Sequence, residues 1–208
     1  MVRLHQEDMC QAVGLRPVEK YAIGRPSERM ARLLREFADD PRTQVERLFR
    51  QLAFRVVIGD EDGHGKNYSV LLSGGAAKLA PLYDSLCTLF YPELSGTMAT
   101  RVGTQESLAG VDRTALAEEA AAMGIPRSEA AECLDRLGEE LRQGIGGLED
   151  GVASGWPSER VAEIISTRIE RLESGRPLGL PEGRRARRRR TFDEATLRTS
   201  PGPVAEAD

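Results

Sequence analysis

VVIGDEDGHGKNYSVLL, residues 56–72, carries the decisive change of pattern in this sequence of 208 residues. An apolar run halts at Gly59. Acids, glycines, a histidine, a lysine and an asparagine follow, and an apolar run resumes at Tyr68. Upstream, Val45, Leu48, Phe49, Leu52, Ala53 and Val56 recur at helical spacing. Asp40 is placed to cap that helix, Pro41 suits its first position and Gly59 its end. Downstream, residues 68–72 and 78–83 are short apolar runs joined by SGGAA, the composition of a hairpin turn. The stretch is therefore a loop between a buried helix and a β-hairpin, and Asp84, in LAPLYDS, stands at the hairpin's far end.

Working outward, residues 4–13 read as a short helix with Met9, Ala12 and Val13 on one face and Gly14 as its stop. Ser27 suits the N-cap of a second helix carrying Met30, Leu33, Leu34 and Phe37. Helices return over 114–123, 127–143 and 158–173, with Gly124 and Gly175 where C-terminal caps are wanted. The glycines of Gly144 to Gly147 interrupt a helical segment and mark a bend or a helix end. Trp156, beside Pro157, reads as a packing anchor, and His5 as a residue that starts its helix or touches the core. The expected fold class is α+β, mainly α-helical, with a small β-hairpin at the loop. The expected division is a folded lobe over 1–176 and a mostly disordered Arg- and Pro-rich tail over 177–208, because the tail has almost no apolar periodicity.

The composition, 40% hydrophobic and 30% charged with a net charge of −4, is that of an ordinary globular protein. Cys10, Cys87 and Cys133 are far apart and form no CxxC pair, which argues against a disulfide framework or a zinc cluster and for a reducing cytoplasm. The opening MVRLHQEDMC has no signal-peptide apolar stretch, and no run approaches the roughly 20 apolar residues of a membrane span. Arg184, Arg185 and Arg187 to Arg190 form a basic block that could neutralise phosphates, but no aromatics are interleaved with them. Direct nucleic-acid binding is expected to be weak or absent.

The loop itself admits several chemistries. Asp-Gly and Gly-Lys-Asn are turn composition. Counted from Asp60, acids at positions 1 and 3 and Gly65 at position 6 imitate a calcium loop, but position 12 is Leu71 where a bidentate Glu is required. His64 lacks the companions of a zinc site, since the one other histidine is His5. Phosphoryl transfer has a different requirement: a carboxylate to orient a hydroxyl and oxygen ligands to hold magnesium against phosphates. Protein kinases place an Asp and a metal-binding Asn five positions apart on one loop, with another Asp past a hairpin. Asp62, Asn67 and Asp84 repeat that order, and D-x-H-x-x-N is the atypical form of the loop shared with lipid kinases.

HQEDMCQAVG, VVIGDEDGHGKNYSVLL and KLAPLYDSLCTLFYP together resemble the C-terminal, large lobe of HipA-type toxin serine/threonine kinases, and the resemblance runs on through TMATRVG to about residue 175. It implies a protein-kinase-like large lobe in which Asp62 is the catalytic base, Asn67 and Asp84 hold Mg2+, and His64, Gly65, Lys66, Asn67, Tyr83 and Asp84 touch ATP. It also implies a helix-turn-helix antitoxin as partner and a protein substrate of the kind such kinases take from the translation machinery.

In that family a small lobe carrying a glycine-rich phosphate loop, a strand lysine and an adenine hinge precedes the HQED segment. Here the only lysines are Lys20, Lys66 and Lys78, and none lies on a strand ahead of the loop. The chain is accordingly expected to be inactive alone, since catalysis in this class is nearly all positioning and electrostatics. Three accounts stay open: a gene remnant, a lobe completed by a separate small-lobe polypeptide, and a non-catalytic module binding an antitoxin or substrate. A lipid-kinase-like protein fits the flanking motifs less well.

Overall fold

The computed structural model describes residues 3–15, 26–149 and 158–182. In chain order these form strand β1 (His5–Asp8), helices α1 (Met9–Ala12), α2 (Pro26–Phe37) and α3 (Pro41–Ile58), and the hairpin β2 (Ser69–Ser73) and β3 (Ala76–Leu79). A second ribbon follows, β4 (Thr97–Val102) and β5 (Gln105–Ser107), and then helices α4 (Arg113–Ala122), α5 (Arg127–Glu149) and α6 (Ser158–Glu173). Among the described residues the architecture is mainly helical with two small antiparallel sheets.

Helix α3 is the axis of the core. Asp40 caps it by accepting the Thr43 N–H, Pro41 opens it, and Gly59 ends it at φ 84°, a left-handed conformation that a β-carbon would resist. A Cβ built at Gly59 would also lie 2.7 Å from Leu89 Cδ1, so the turn into the loop is closed to larger residues. Val45, Leu48, Phe49, Leu52, Ala53 and Val56 are all buried, as the stripe predicts, and Val57 and Ile58 are buried as well. Burying one such aliphatic side chain contributes about 1.5–3 kcal/mol, so this helix anchors the lobe. Helices α2, α5 and α6 and strand β3 pack around it.

Several expectations change. Residues 4–13 do not form one helix: His5–Asp8 is a strand paired antiparallel with β2, Asp8 opposite Ser69, and only Met9–Ala12 is helical. The polar HQED segment has no strand pattern of its own, and its pairing with β2 decides. His5 is exposed on β1 and hydrogen-bonds Glu7, away from the core. Helix α2 begins at Pro26, so Ser27 lies inside its first turn, fully buried with its hydroxyl donating to Glu119, and is not the cap. The hairpin turn contracts to Gly74 and Gly75, both at positive φ, and Tyr83 lies beyond β3. Helix α5 runs straight through Gly144 and Gly146, which have open space around them; its packing on α6 outweighs the roughly 1 kcal/mol that a helical glycine costs.

The boundary placed at residue 177 also moves. Leu178 is 1% exposed and its N–H donates to the Val111 carbonyl, while the Gly179 N–H donates to that of Ala109. The start of the expected tail is thus docked on the lobe by one apolar side chain and two backbone hydrogen bonds. Trp156 and the block Arg184 to Arg190 lie outside the described residues.

Candidate active site

The loop that follows Gly59 turns three consecutive acids in three directions. Asp60 points inward: it is 5% exposed, and its carboxylate accepts Arg55 Nη1 at 2.5 Å and the Asp62 N–H at 3.0 Å. Burial raises the Asp60 pKa, with the Arg55 charge pulling the other way. Glu61 points sideways. Its N–H donates to Thr88 Oγ1 at 2.9 Å, its carboxylate accepts the Gly96 N–H at 2.6 Å, and its carbonyl accepts the Ala99 N–H at 2.6 Å. It therefore fastens the segment after Asp84 to the loop. Asp62 is exposed to solvent.

Beyond Gly63 a short 3-10 turn, Gly65–Asn67, brings the side chain of Asn67 inward. Asn67 Oδ1 accepts the His64 N–H at 2.9 Å and the Asn67 N–H donates to the His64 carbonyl at 2.9 Å, which locks the turn. Asn67 Nδ2 then donates to Asp84 Oδ2 at 2.6 Å, bridging the two ends of the hairpin. Asp84 has φ 51°, and among the described residues it is the one non-glycine at positive φ. Strain of this kind is held in place only by surrounding contacts and gathers at functional positions. Tyr83 braces the same corner: its hydroxyl donates to the Lys66 carbonyl at 2.5 Å and lies 2.6 Å from Ser69 Oγ, which in turn accepts Gln6 Nε2. Burial shifts the Tyr83 hydroxyl to a higher pKa.

The residues singled out by sequence are thus brought to one corner of the lobe. His64, Asn67 and Asp84 are joined directly, Tyr83 and Lys66 through the phenol and the Lys66 carbonyl, and Gly65 is buried within the turn. Asp62 is tied to the group through Asp60, whose carboxylate accepts the Asp62 N–H. Among the described residues no group of three or more His, Cys, Asp and Glu forms a metal cage. Asp84 brings a carboxylate and Asn67 an amide oxygen, the few hard-oxygen donors that magnesium takes from a protein before water and phosphate complete its shell, although the amide here turns its nitrogen to Asp84 and its oxygen to the His64 N–H. The Asn67 N–H presented to Asp84 supplies the positive end that such a carboxylate otherwise takes from a cation.

One residue of the site escaped the sequence reading. Arg55, on α3, is 2% exposed, and its guanidinium donates to the carboxylate of Asp60 and to the carbonyls of Asp84 (2.8 Å), Tyr83 (2.5 Å) and Asn67 (3.2 Å). Its Cζ lies 5.3 Å from the centre of the Tyr68 ring, and burial carries the Tyr68 hydroxyl up to about 12. A signal was present: Val45, Leu48, Leu52 and Arg55 follow one another at intervals of three and four, so Arg55 continues the buried stripe as a charge.

Residues 2–145 match the family model of the HipA-like C-terminal domain. Y4mE of Sinorhizobium fredii, a protein named as an inferred kinase, is 46% identical over 112 residues, which cover 53% of this chain and 27% of that protein. The serine/threonine-protein kinase toxin HipA of Shewanella oneidensis is 23% identical over 157 residues, 70% of this chain and 36% of that one. Among solved structures, the complex of HipA, HipB and operator DNA from Shewanella oneidensis MR-1 superposes with a TM-score of 0.75 at 20% identity, over 83% of this chain and 45% of that chain. The likeness in structure establishes a shared fold. The chain spans 27% and 36% of the lengths of these two relatives.

Proposed function

This chain belongs to the HipA-like C-terminal domain family, and on that footing we propose that it is the large lobe of a serine/threonine protein kinase of the HipA toxin type. In this reading Asp62 accepts and orients the hydroxyl of a protein substrate, as its exposure allows. Asn67 and Asp84 hold magnesium, and the turn from His64 to Asn67, with Tyr83, borders the nucleotide. Magnesium bound there would neutralise phosphate charge during transfer of the γ-phosphoryl group of ATP. The phosphate loop, strand lysine and adenine hinge come from a small lobe, on the same longer polypeptide or on a separate one. An antitoxin partner follows from the same kinship: the structural neighbour is a complex with HipB and operator DNA. A cytoplasmic location agrees with the described residues, where no helix is long and apolar enough to cross a membrane.

The observation that carries the reading is the 2.6 Å contact between Asn67 and Asp84, two residues 17 positions apart that the hairpin folds against each other. Turn composition alone gives no reason for that contact or for the left-handed backbone at Asp84. The test mixes the 208-residue chain with the small lobe of a HipA-type relative and follows labelled phosphate from ATP to protein. The chain alone is expected to transfer none. The mixture is expected to transfer phosphate in a magnesium-dependent way, and the Asp62→Ala and Asp84→Ala variants to lose it. Tight association of the two lobes with no transfer would overturn the kinase reading and leave an interaction module.

A further inference from the structure

We propose that Arg55 is the positioning residue of the metal site: from inside α3 its guanidinium holds Asn67 and Asp84 by their backbones, and Asp60 holds the guanidinium. The inference rests on the reading of Asn67 and Asp84 as the residues that take the divalent cation, and goes beyond it by assigning what sets their separation.

The bonds are divided in a telling way. Nη1 serves the Asp60 carboxylate and the Asp84 carbonyl, and Nη2 serves the carbonyls of Asn67 and Tyr83. One planar fork therefore spans both chain segments that meet at the site, the loop before the hairpin and the strand exit after it. Two of its four partners are the backbones of the very residues whose side chains meet at 2.6 Å, and a third is the residue preceding Asp84. Asp84 is also the position held at φ 51°, and the two carbonyls on either side of its Cα–N linkage are both fixed by this arginine.

Charge neutralisation does not account for the arrangement. Neutralising Asp60 requires one contact, which the 2.5 Å pair already provides. A buried ion pair adds little net stability compared with apolar side chains of the same volume, because both ions lose their water. What this pair supplies is direction, since a rigid fork anchored at Asp60 can lock three carbonyls in fixed relation. A lysine at this position would offer one ammonium centre and could not span both segments.

Metal ligands held by outer partners typically lose about 10–100-fold in metal affinity when those partners are changed. The test uses Mn2+ alone as probe, on the full 208-residue chain, and reads paramagnetic broadening of the Asn67 and Asp84 amide signals by NMR. The same spectra report whether each variant is folded. Wild type is expected to broaden first and most strongly at these two residues, with the effect falling off with distance from them. Arg55→Lys should require about tenfold more Mn2+ or beyond, Asp60→Asn several-fold more, and Arg168→Lys, at another buried arginine touching neither residue, no more than about twofold. If Arg55→Lys does not fold, Asp60→Asn decides by the same comparison. Broadening of the folded variants at the wild-type concentration overturns the positioning role while leaving the metal reading intact. Absence of selective broadening in wild type overturns the metal reading, and the positioning role falls with it.

Discussion

Arg55 and Arg168 are each 2% exposed and both meet the C-terminal end of α3, one from within the helix and the other from α6. Arg168 donates to the carbonyls of Val56 (2.7 Å), Val57 (3.0 Å) and Gly179 (2.6 Å). Those first two are carbonyls of the last helical turn, the negative end of the helix, where a cation is favoured. Burial brings Arg168 down to about 9, still above neutrality, so it carries its charge there at pH 7. It ties α6 and the segment at 179 to the back of α3. Arg55, facing the opposite way, spends its donors on the loop and on the exit of the hairpin. The same side chain, equally buried, serves architecture on one side of the helix end and the geometry of a site on the other. Burial alone does not distinguish the two; the identity of the acceptors does.

The largest effect expected from this contrast is on stability at Arg168. Arg168→Leu removes a donor from three carbonyls, of which that of Val56 keeps the Gly59 N–H, and unmet buried acceptors cost about 1–3 kcal/mol each, partly offset by removing a buried charge. Urea unfolding should show a loss of about 3 kcal/mol, with the Mn2+ response of Asn67 and Asp84 unchanged. A loss of metal response equal to that of Arg55→Lys would break the division between the two sides. A smaller effect on the same side belongs to Leu178. Leu178→Ala empties a site that is 1% exposed and borders the pocket containing Arg168, and should cost about 2–3 kcal/mol by thermal or urea unfolding. An unchanged midpoint would mean that the segment after 176 is not held by its side chain, as its polar composition first suggests.

Much of this was written locally and some was not. Helix α3, its Asp40 cap and its Gly59 stop follow from residues within one or two turns of each other, and so does the hairpin after it. Asp62, Asn67 and Asp84 could be singled out because their order around that hairpin is a matter of spacing along the chain. Strand β1 could not be read from HQED, since its reason for being extended is β2, more than 60 residues further on. The ribbon of β4 and β5 went unseen for a similar reason: TMATRVG and QES are short and weakly alternating, and β4 is fastened by the Ala99 bond to Glu61. Arg55 reaches acceptors 5, 12, 28 and 29 positions away, which no periodicity reports. Leu178 is one apolar residue in a polar segment, and only the carbonyl of Val111 reveals where it goes.

The smallest expected effect tests whether the site is held from inside or from outside. Tyr83 braces the solvent side of the corner through a hydroxyl bonded to Lys66 and Ser69, whereas Arg55 braces the buried side through the backbone. Tyr83→Phe keeps the ring and removes the hydroxyl alone. Tyr83 is only partly buried, so water can replace the lost partner at the Lys66 carbonyl, and the cost should be about 1 kcal/mol or less in urea unfolding. The carbonyls of Asn67, Tyr83 and Asp84 would remain on the guanidinium of Arg55, so the Mn2+ concentration that broadens Asn67 and Asp84 should shift much less than in Arg55→Lys. A shift as large as that of Arg55→Lys would place control of the Asn67–Asp84 separation in the hydroxyl network of Gln6, Ser69 and Tyr83. Strand β1 would then be part of the site's scaffold, and Arg55, like Arg168, would be a cation that holds the core.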